Sequence, residues 1–165
     1  MEQIKVNDSR IYGLVALYDL HTGLLSKAIE GITDEDAHNR LHTKANHVAW
    51  LAGSLVQQRY EMAKGMDIHK TQKAHELFSN NKGIQDDVKY PQLMQYIEDW
   101  DEISGDVREA LVTSPPEKID KEIDMGGHKM SFFELLSFLV YREANIIGQI
   151  ALWRRLMGYD AIKYM

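Results

Sequence analysis

The last long segment of the chain decides its fold class. Residues 131–158 read SFFELLSFLVYREANIIGQIALWRRLMG. Their apolar side chains recur every three or four residues, the spacing of one face of an α-helix. Ser131 and Glu134 form the S-x-x-E pattern of a capping box, and Gly158 stands where a glycine commonly ends a helix. The segment therefore predicts one long helix from Ser131 to Gly158.

Three further segments show the same helical spacing of apolar residues. They cover Ser9 to Glu30, Lys44 to Lys64, and Tyr90 to Leu111. Glycine or proline stands at their boundaries, at Gly31, Gly65, Pro91 and Pro115-Pro116. Helices of roughly 20 residues are about 30 Å long. Four of them predict a single all-α domain over residues 1–165, arranged as an antiparallel four-helix bundle.

The connections between these helices differ in length and character. Residues Thr33 to Leu41 predict a short extra helix, because capping residues stand at its start. The polar connection from His69 to Lys89 is predicted to contain one helical turn, at Ala74 to Phe78. Before the last helix, alternating isoleucines flank a glycine-rich turn at Met125 to His128, which predicts a small hairpin.

Composition and charge exclude several classes of protein. The chain has no cysteine, which removes disulfides, cysteine-bound metals and a thiolate nucleophile. It has 19 Lys+Arg against 25 Asp+Glu, a net charge of −6 that disfavours nucleic-acid binding. Its start lacks a signal-peptide-like apolar run, and no uninterrupted apolar stretch approaches the roughly 20 residues that cross a bilayer. We therefore expect a cytoplasmic protein with no nucleic-acid or membrane partner.

Seven histidines raise the hypothesis of a metal site, because imidazole is a common metal ligand. His38 and His42 are four residues apart, which would place two rings on one helical face. His47 lies near the start of the second long helix, and His21 lies on the apolar face of the first. A structural role is favoured for each: an exposed turn for the first pair, a backbone contact for His47, and a hydrogen-bonded core position for His21.

Two charged residues, Arg142 and Glu143, interrupt the apolar last helix. An arginine that faced the interior would need a carboxylate partner, because an unpaired buried charge is costly. Alternatively, Arg142, Asn145 and Gln149 form a solvated stripe, and spacing alone leaves both interpretations open. Gly148 in the middle of a helix costs about 1 kcal/mol relative to alanine, which favours the close approach of another helix there.

Two of these segments resemble motifs of the DinB-like proteins. Residues 46–55, NHVAWLAGSL, resemble the family's "sigWLlgHla" segment on its second helix. Residues 142–158, REANIIGQIALWRRLMG, resemble its pattern "HeaxHxGQixxxxRllG" on the fourth helix. The resemblance extends over essentially the whole chain in helix order and length.

The resemblance implies a four-helix bundle, commonly dimeric, with a divalent metal held by three histidines. Several relatives are metal-dependent thiol transferases or thiol-dependent isomerases. The three histidine positions of the family correspond here to Ser54, Arg142 and Ile146. Hydroxyl, guanidinium and hydrocarbon side chains are poor metal ligands. We therefore expect no metal, no other cofactor and no catalytic residue, and a degenerate pocket bounded by these three side chains.

A homodimer that binds a small molecule or another protein is the expected function. A small anionic or carboxylate ligand would suit Arg142, because a guanidinium forms bidentate hydrogen bonds to carboxylates. Within the protein, Arg142 is expected to pair with Asp19, with Glu61, or with Glu143 of a neighbouring chain.

An enzyme is the alternative function. It would be a metal-dependent thiol transferase or hydrolase in which His21, His42 or His47 rebuild a metal site in the same cleft. A factor that acts on damaged DNA is disfavoured by the negative net charge.

Overall fold

Helices dominate the computed structural model, which describes residues 4–124 and 126–164. Four helices are long: α1 (Tyr12–Ile29), α3 (Val48–Gly65), α5 (Leu93–Thr113) and α7 (Phe132–Leu156). Three helices are single turns: α2 (Asp34–Ala37), α4 (His75–Phe78) and α6 (Pro116–Ile119). Short 3-10 turns are formed by Ser9–Ile11 and Ser79–Asn81. The predicted all-α class is confirmed.

A small antiparallel hairpin precedes α7, at the position that the sequence predicts. Its strands are β1 (Glu122–Asp124) and β2 (Lys129–Ser131), and Ile123 pairs with Met130. The positive φ angles of Gly126 and Gly127 serve the turn, because this region of φ favours glycine. Met125, which the prediction also placed in the turn, lies outside the described residues.

The ends of the longest helix follow its capping signals. Ser131 Oγ accepts a hydrogen bond from the backbone N–H of Glu134 at 3.2 Å, and Glu134 Oε2 accepts one from the N–H of Ser131 at 2.7 Å. Gly158 follows the helix with a φ of 86°, the left-handed conformation of a C-terminal cap. The capping box predicted for α7 is therefore confirmed.

Helix α3 begins later than predicted because His47 acts as its N-cap. The Nδ1 atom of His47 accepts the backbone N–H of Trp50 at 3.1 Å, and the backbone of His47 is extended. Helical geometry therefore starts at Val48, whereas the sequence predicts a start at Lys44. The backbone contact that was predicted for His47 is this cap.

The four long helices surround one core. Helix α1 packs on α5 and α7, and α3 packs on the same two helices. Most of the largest fully buried apolar side chains come from three of these helices. They include Tyr18 and Leu25 of α1, Leu51 and Leu55 of α3, and Tyr96, Trp100 and Ile103 of α5.

Contacts between side chains give the relative directions of the helices. Gly65 lies beside the Phe132 ring, and Ser54 bonds to Arg142, so α3 and α7 run in opposite directions. This pair agrees with the predicted antiparallel arrangement.

Helices α1 and α7 run in the same direction. His21 contacts Glu143 at 3.2 Å, and further along both helices Arg154 Nη1 donates to the carbonyl of Ala28 at 3.0 Å. The antiparallel prediction is therefore wrong for this pair. Apolar periodicity identifies the buried face of a helix, but it does not specify whether the neighbouring helix runs parallel or antiparallel to it.

The long connection between α3 and α5 lies against α3 at a glycine. A Cβ atom added to Gly53 would overlap the ring of Phe78 and come within 2.7 Å of the Tyr96 ring. The side chain of Phe78, at the end of α4, is buried there. Gly53 is thus required for the close approach of this connection to α3.

Among the described helices, α7 alone has the length and the apolar composition that a membrane-spanning helix needs. Its most apolar window has a mean hydropathy of 1.2, and 33% of that window is buried. Polar residues at intervals break this segment, so it contains no uninterrupted apolar run long enough to cross a bilayer. Glu143 lies buried in the middle of the helix.

Candidate functional site

The structure brings together two of the three predicted site residues. Arg142 Nη2 donates to Ser54 Oγ at 3.1 Å, and its Nη1 donates to Gln58 Oε1 at 2.7 Å. Gln58 lies one turn after Ser54 on α3, so a single guanidinium bridges two turns of that helix. Ile146 lies one turn after Arg142 on α7, but it is buried in the core.

Arg142 lines a pocket of about 150 Å³ between α3, α7 and the connection that runs from the end of α4 at Phe78 to Gly83. Helix α3 contributes Trp50, Ser54, Gln57, Gln58 and Glu61, and the connection contributes Phe78, Asn81, Lys82 and Gly83. Ile146 is not among the lining residues, in contrast to the sequence-based prediction. The indole N–H of Trp50 is buried and has no hydrogen-bond partner in the described part of the chain.

The half-buried Arg142 has no carboxylate within 4.0 Å among the described residues. Burial lowers the pKa of its guanidinium, and the negative charge of Glu61 opposes this effect more weakly. The Oε1 atom of Glu61 instead accepts a hydrogen bond from Gln57 at 3.1 Å. The predicted ion pair between Arg142 and Glu61 is therefore not formed.

The other two carboxylates proposed for Arg142 bind different arginines. Asp19 Oδ1 accepts from Arg108 Nε at 2.7 Å. Glu143 is 0% exposed, so its carboxylate cannot reach a neighbouring chain. The predictions for Asp19 and Glu143 are wrong because both side chains have partners within their own protomer.

The partner of Glu143 is a second arginine in the centre of the molecule. Arg59 on α3 is also 0% exposed; its Nε donates to Glu143 Oε1 at 2.7 Å and its Nη2 to Oε2 at 3.1 Å. His21 Nδ1 lies 3.2 Å from the same Oε2. Burial would raise the pKa of Glu143, but the charge of Arg59 and the hydrogen bonds from His21 and Arg59 outweigh burial and lower it.

Arg59 also makes hydrogen bonds and ring contacts with residues of α1 and α5. Its Nη1 donates to Ser104 Oγ at 2.6 Å and to Thr22 Oγ1 at 2.8 Å. Its guanidinium carbon lies 3.9 Å from the centre of the Tyr18 ring and 3.4 Å from that of the Trp100 ring. Hydrogen bonds and cation–π contacts together offset the loss of hydration of this buried cation. Arg59 and Glu143 therefore form a structural ion pair.

Arg59 is not among the residues predicted from the sequence to form a site. It follows Gln57 and Gln58, and such a polar run is typical of a solvent-facing turn. The available signal was spacing: Arg59 lies four residues after Leu55 and three before Met62, which are both buried. A charged residue on the apolar face of one helix, matched by Glu143 on another, is the pattern that indicates a buried pair.

The predicted structural roles of the histidines hold in part. His21 is a hydrogen-bonded core residue, as predicted. His38 is partly buried rather than exposed, and its ring nitrogens lie 2.6 Å from the carbonyl of Asp34 and 3.1 Å from that of Tyr90. His42 is exposed on the turn, as predicted.

The rings of His38 and His47 are close, but both ring nitrogens of His38 and the Nδ1 atom of His47 face backbone groups. Their centres are 5.3 Å apart. Burial, and next the charge of His38, lower the pKa of His47 to about 4. Within residues 4–124 and 126–164, no group of three His, Asp or Glu side chains is arranged to hold a metal ion. In that part of the chain, the histidine positions thus do not form the relocated metal site of the alternative hypothesis.

The comparisons with known proteins assign no family to the chain. No protein-family model matches its sequence, and no curated protein matches it. The resemblance to the DinB-like proteins therefore stays a prediction, and the function is argued from the geometry of the site.

Proposed function

We propose that this chain is a divergent DinB-like protein that binds a small carboxylate at Arg142 without catalysing a reaction. In this proposal α1, α3, α5 and α7 form a four-helix bundle whose first and last helices run in one direction and whose middle helices run in the other. The packing of α1 and of α3 on both α5 and α7 supports the bundle. The contact between Ser54 and Arg142 supports the correspondence with the family's ligand positions.

The observation that carries the proposal is a half-buried cation whose hydrogen-bond partners are all neutral. Arg142 donates to a hydroxyl and to an amide oxygen, and neither balances its charge. A bound carboxylate would supply that charge through charge-assisted hydrogen bonds, which are about twice as strong as neutral ones.

The size and lining of the pocket narrow the ligand class. A volume of about 150 Å³ is similar to that of an engineered protein cavity of about 150 Å³ that binds benzene, a ligand of six heavy atoms. Trp50 and Phe78 provide apolar surface for a short alkyl group, and Arg142 provides the charge. Small monocarboxylates such as acetate and propionate fit these requirements.

Propionate and its uncharged isostere propionamide provide a matched test. We expect propionate to shift the backbone amide resonances of Ser54 and Gln58 in a two-dimensional NMR titration, and propionamide to leave them unchanged. Arg142→Met should abolish the propionate response, whereas Lys121→Met, which removes an exposed cation elsewhere, should preserve it. Unchanged affinity in the Arg142→Met protein would reject the proposal.

Glu61 provides a test in the opposite direction. Its carboxylate lines the same pocket, and like charges repel an incoming anion. Glu61→Gln keeps the shape and the hydrogen-bonding atoms and removes the charge, so it should tighten propionate binding severalfold. Weaker propionate binding in this variant would contradict the expected repulsion between Glu61 and the ligand.

The alternative function, a metal-dependent thiol transferase or hydrolase, makes a different prediction. It requires a stoichiometric transition metal in protein purified without chelator and without an affinity tag. Elemental mass spectrometry of such a sample distinguishes the two functions. A stoichiometric metal that is lost on substitution of His47 or His21 would favour the enzyme.

A further inference from the structure

The outward faces of α1 and α7 form an apolar surface, here called the α1/α7 face. Its large side chains are between 45% and 64% exposed: Tyr12, Leu17, Leu20, Phe138, Tyr141, Leu152 and Leu156. The exposed positions within residues 12–26 of α1 and 138–152 of α7 carry no charge. The two helices pack on each other, so their apolar surfaces adjoin. A continuous uncharged face of this kind indicates an interaction surface.

The solvent face of α5 shows that this composition is local. Its exposed positions include Glu98, Asp101, Glu102 and Glu109, as on an ordinary hydrated helix. The apolar character of α1 and α7 is therefore a property of one side of the molecule, and the net charge of −6 is carried elsewhere.

Glycines on the α1/α7 face are not explained by packing within the protomer. A Cβ atom added to Gly13, Gly23 or Gly148 would meet nothing within 4 Å. Each glycine in a helix costs about 1 kcal/mol relative to alanine. They permit the close approach of another molecule, because a missing side chain lets a partner helix come nearer. Gly105 on α5 is equally open, so the apolar composition, and not the glycines alone, distinguishes the α1/α7 face.

We propose that the α1/α7 face binds the same face of a second copy of the chain, with the two α7 helices antiparallel. Residues 134 and 155, and likewise 141 and 148, are symmetric about the midpoint between Ala144 and Asn145. One two-fold axis at this midpoint places Glu134 near the partner's Arg155 at both ends. The same axis places Tyr141 opposite the partner's Gly148, a large side chain against a gap.

Charge complementarity favours a second copy over a membrane as the occupant. An isologous interface must be complementary to itself, and an apolar centre with an acid at one end and a base at the other satisfies this condition. Glu134 and Arg155 are both exposed. An interfacial membrane helix would instead carry several basic residues beside its apolar face.

The area of the face is sufficient for a specific dimer. Helix α1 has 18 residues and α7 has 25. A face about 30 Å long and two helices wide covers about 600 Å² in projection. A standard specific interface buries about 800 Å² of accessible surface on each partner. Accessible area exceeds projected area on a surface of side chains, so the two values are comparable.

Sedimentation velocity over a concentration series tests the proposal directly. The wild-type chain should sediment as a dimer, and Tyr141→Lys or Gly148→Leu should raise the dissociation constant about 30-fold or more, the effect of removing an interface hot spot. Both positions are exposed, so circular dichroism and thermal unfolding of the monomer should show a folded protein. Met94→Lys, which changes an apolar residue 66% exposed on α5, is the matched control and should remain dimeric.

A charge reversal tests the proposed direction of the helices. Arg155→Glu should weaken the dimer more than Arg155→Gln, because only the former places two carboxylates together, and neither substitution disturbs the capping box of Glu134. A wild-type monomer at high concentration would overturn the proposal, as would dimers that survive both Tyr141→Lys and Gly148→Leu. Binding of a monomer to phosphatidylcholine vesicles would reassign the face to a lipid surface. Arg142→Met leaves this face unchanged, so loss of propionate binding and loss of the dimer are separable results.

Discussion

Arg59 and Arg142 both connect α3 with α7, and their surroundings differ. Arg59 is fully buried between two aromatic rings, and its donors reach Glu143, Ser104 and Thr22. Arg142 is half-buried beside a small pocket, and its partners are neutral oxygens. A cation with a complete set of partners stabilises a fold, whereas a cation with no directly bonded carboxylate retains the capacity to bind one.

The largest predicted effect comes from removing the charge that balances Arg59. Glu143→Gln keeps the size of the side chain but leaves a buried cation without a carboxylate. We expect the free energy of unfolding to fall by about 3–5 kcal/mol, measured by urea denaturation. Glu109→Gln, an exposed carboxylate on α5, should change it by less than about 0.5 kcal/mol. Equal effects of the two substitutions would contradict the structural role of the pair.

A double substitution separates the pair itself from the unpaired charge that a single substitution leaves. Arg59→Met combined with Glu143→Leu removes both charges and fills the space with hydrocarbon. The double variant should be more stable than either single variant, because neither charge is left without its partner. Additive losses would show that the two side chains act independently.

Acid unfolding provides the second prediction. The native pKa of Glu143 is below its ordinary value of 4.5, so the carboxylate binds its proton less readily in the folded state. Its contribution to stability is therefore complete above about pH 4.5 and is lost as pH falls through the lower native pKa. The difference in stability between wild type and Glu143→Gln should shrink over this acidic range. A difference that stays constant from pH 7 to pH 3 would show that the charge of Glu143 is not involved.

An intermediate effect is expected at the glycine beside the Arg142 pocket. A methyl group at Gly53 would overlap Phe78, which lines the pocket, and overpacking of this kind costs about 1–3 kcal/mol. Gly105→Ala on α5, where a Cβ atom would meet nothing within 4 Å, should instead stabilise the protein by up to about 1 kcal/mol. Urea denaturation of both variants measures the contrast. An unchanged unfolding free energy in Gly53→Ala would show that the connection between α3 and α5 can shift to accommodate the methyl group.

Much of the fold could be predicted from the sequence because local signals specify it. The capping box of Ser131 and Glu134 and the apolar spacing of α7 agree with the structure. The start of α3 was predicted less accurately, because His47 caps the helix through a ring nitrogen rather than through a hydroxyl or carboxylate. The directions of α1 and α7 depend on contacts such as His21 with Glu143, which lie far apart in sequence.

The site was predictable to a smaller extent. Ser54 and Arg142 were named together from the family resemblance, and they meet in the structure. The same reasoning assigned the carboxylate of Glu143 to an intermolecular contact, although it faces the core. Successive residues of a helix point about 100° apart, so the neighbour of a pocket residue can be a core residue. Its partner Arg59 is 84 positions away in sequence.

The smallest effect on stability, and the sharpest test of the comparison, is expected from Arg142→Met. The variant loses two hydrogen bonds to neutral groups at the edge of a pocket, where water can replace the guanidinium for Ser54 and Gln58. It also removes the cost of a partly desolvated cation, so the unfolding free energy should change by less than about 1 kcal/mol. Propionate binding, measured on the same sample, should be lost. A destabilisation as large as that of Glu143→Gln would make Arg142 a second structural arginine, and the pocket would then need another basis for binding.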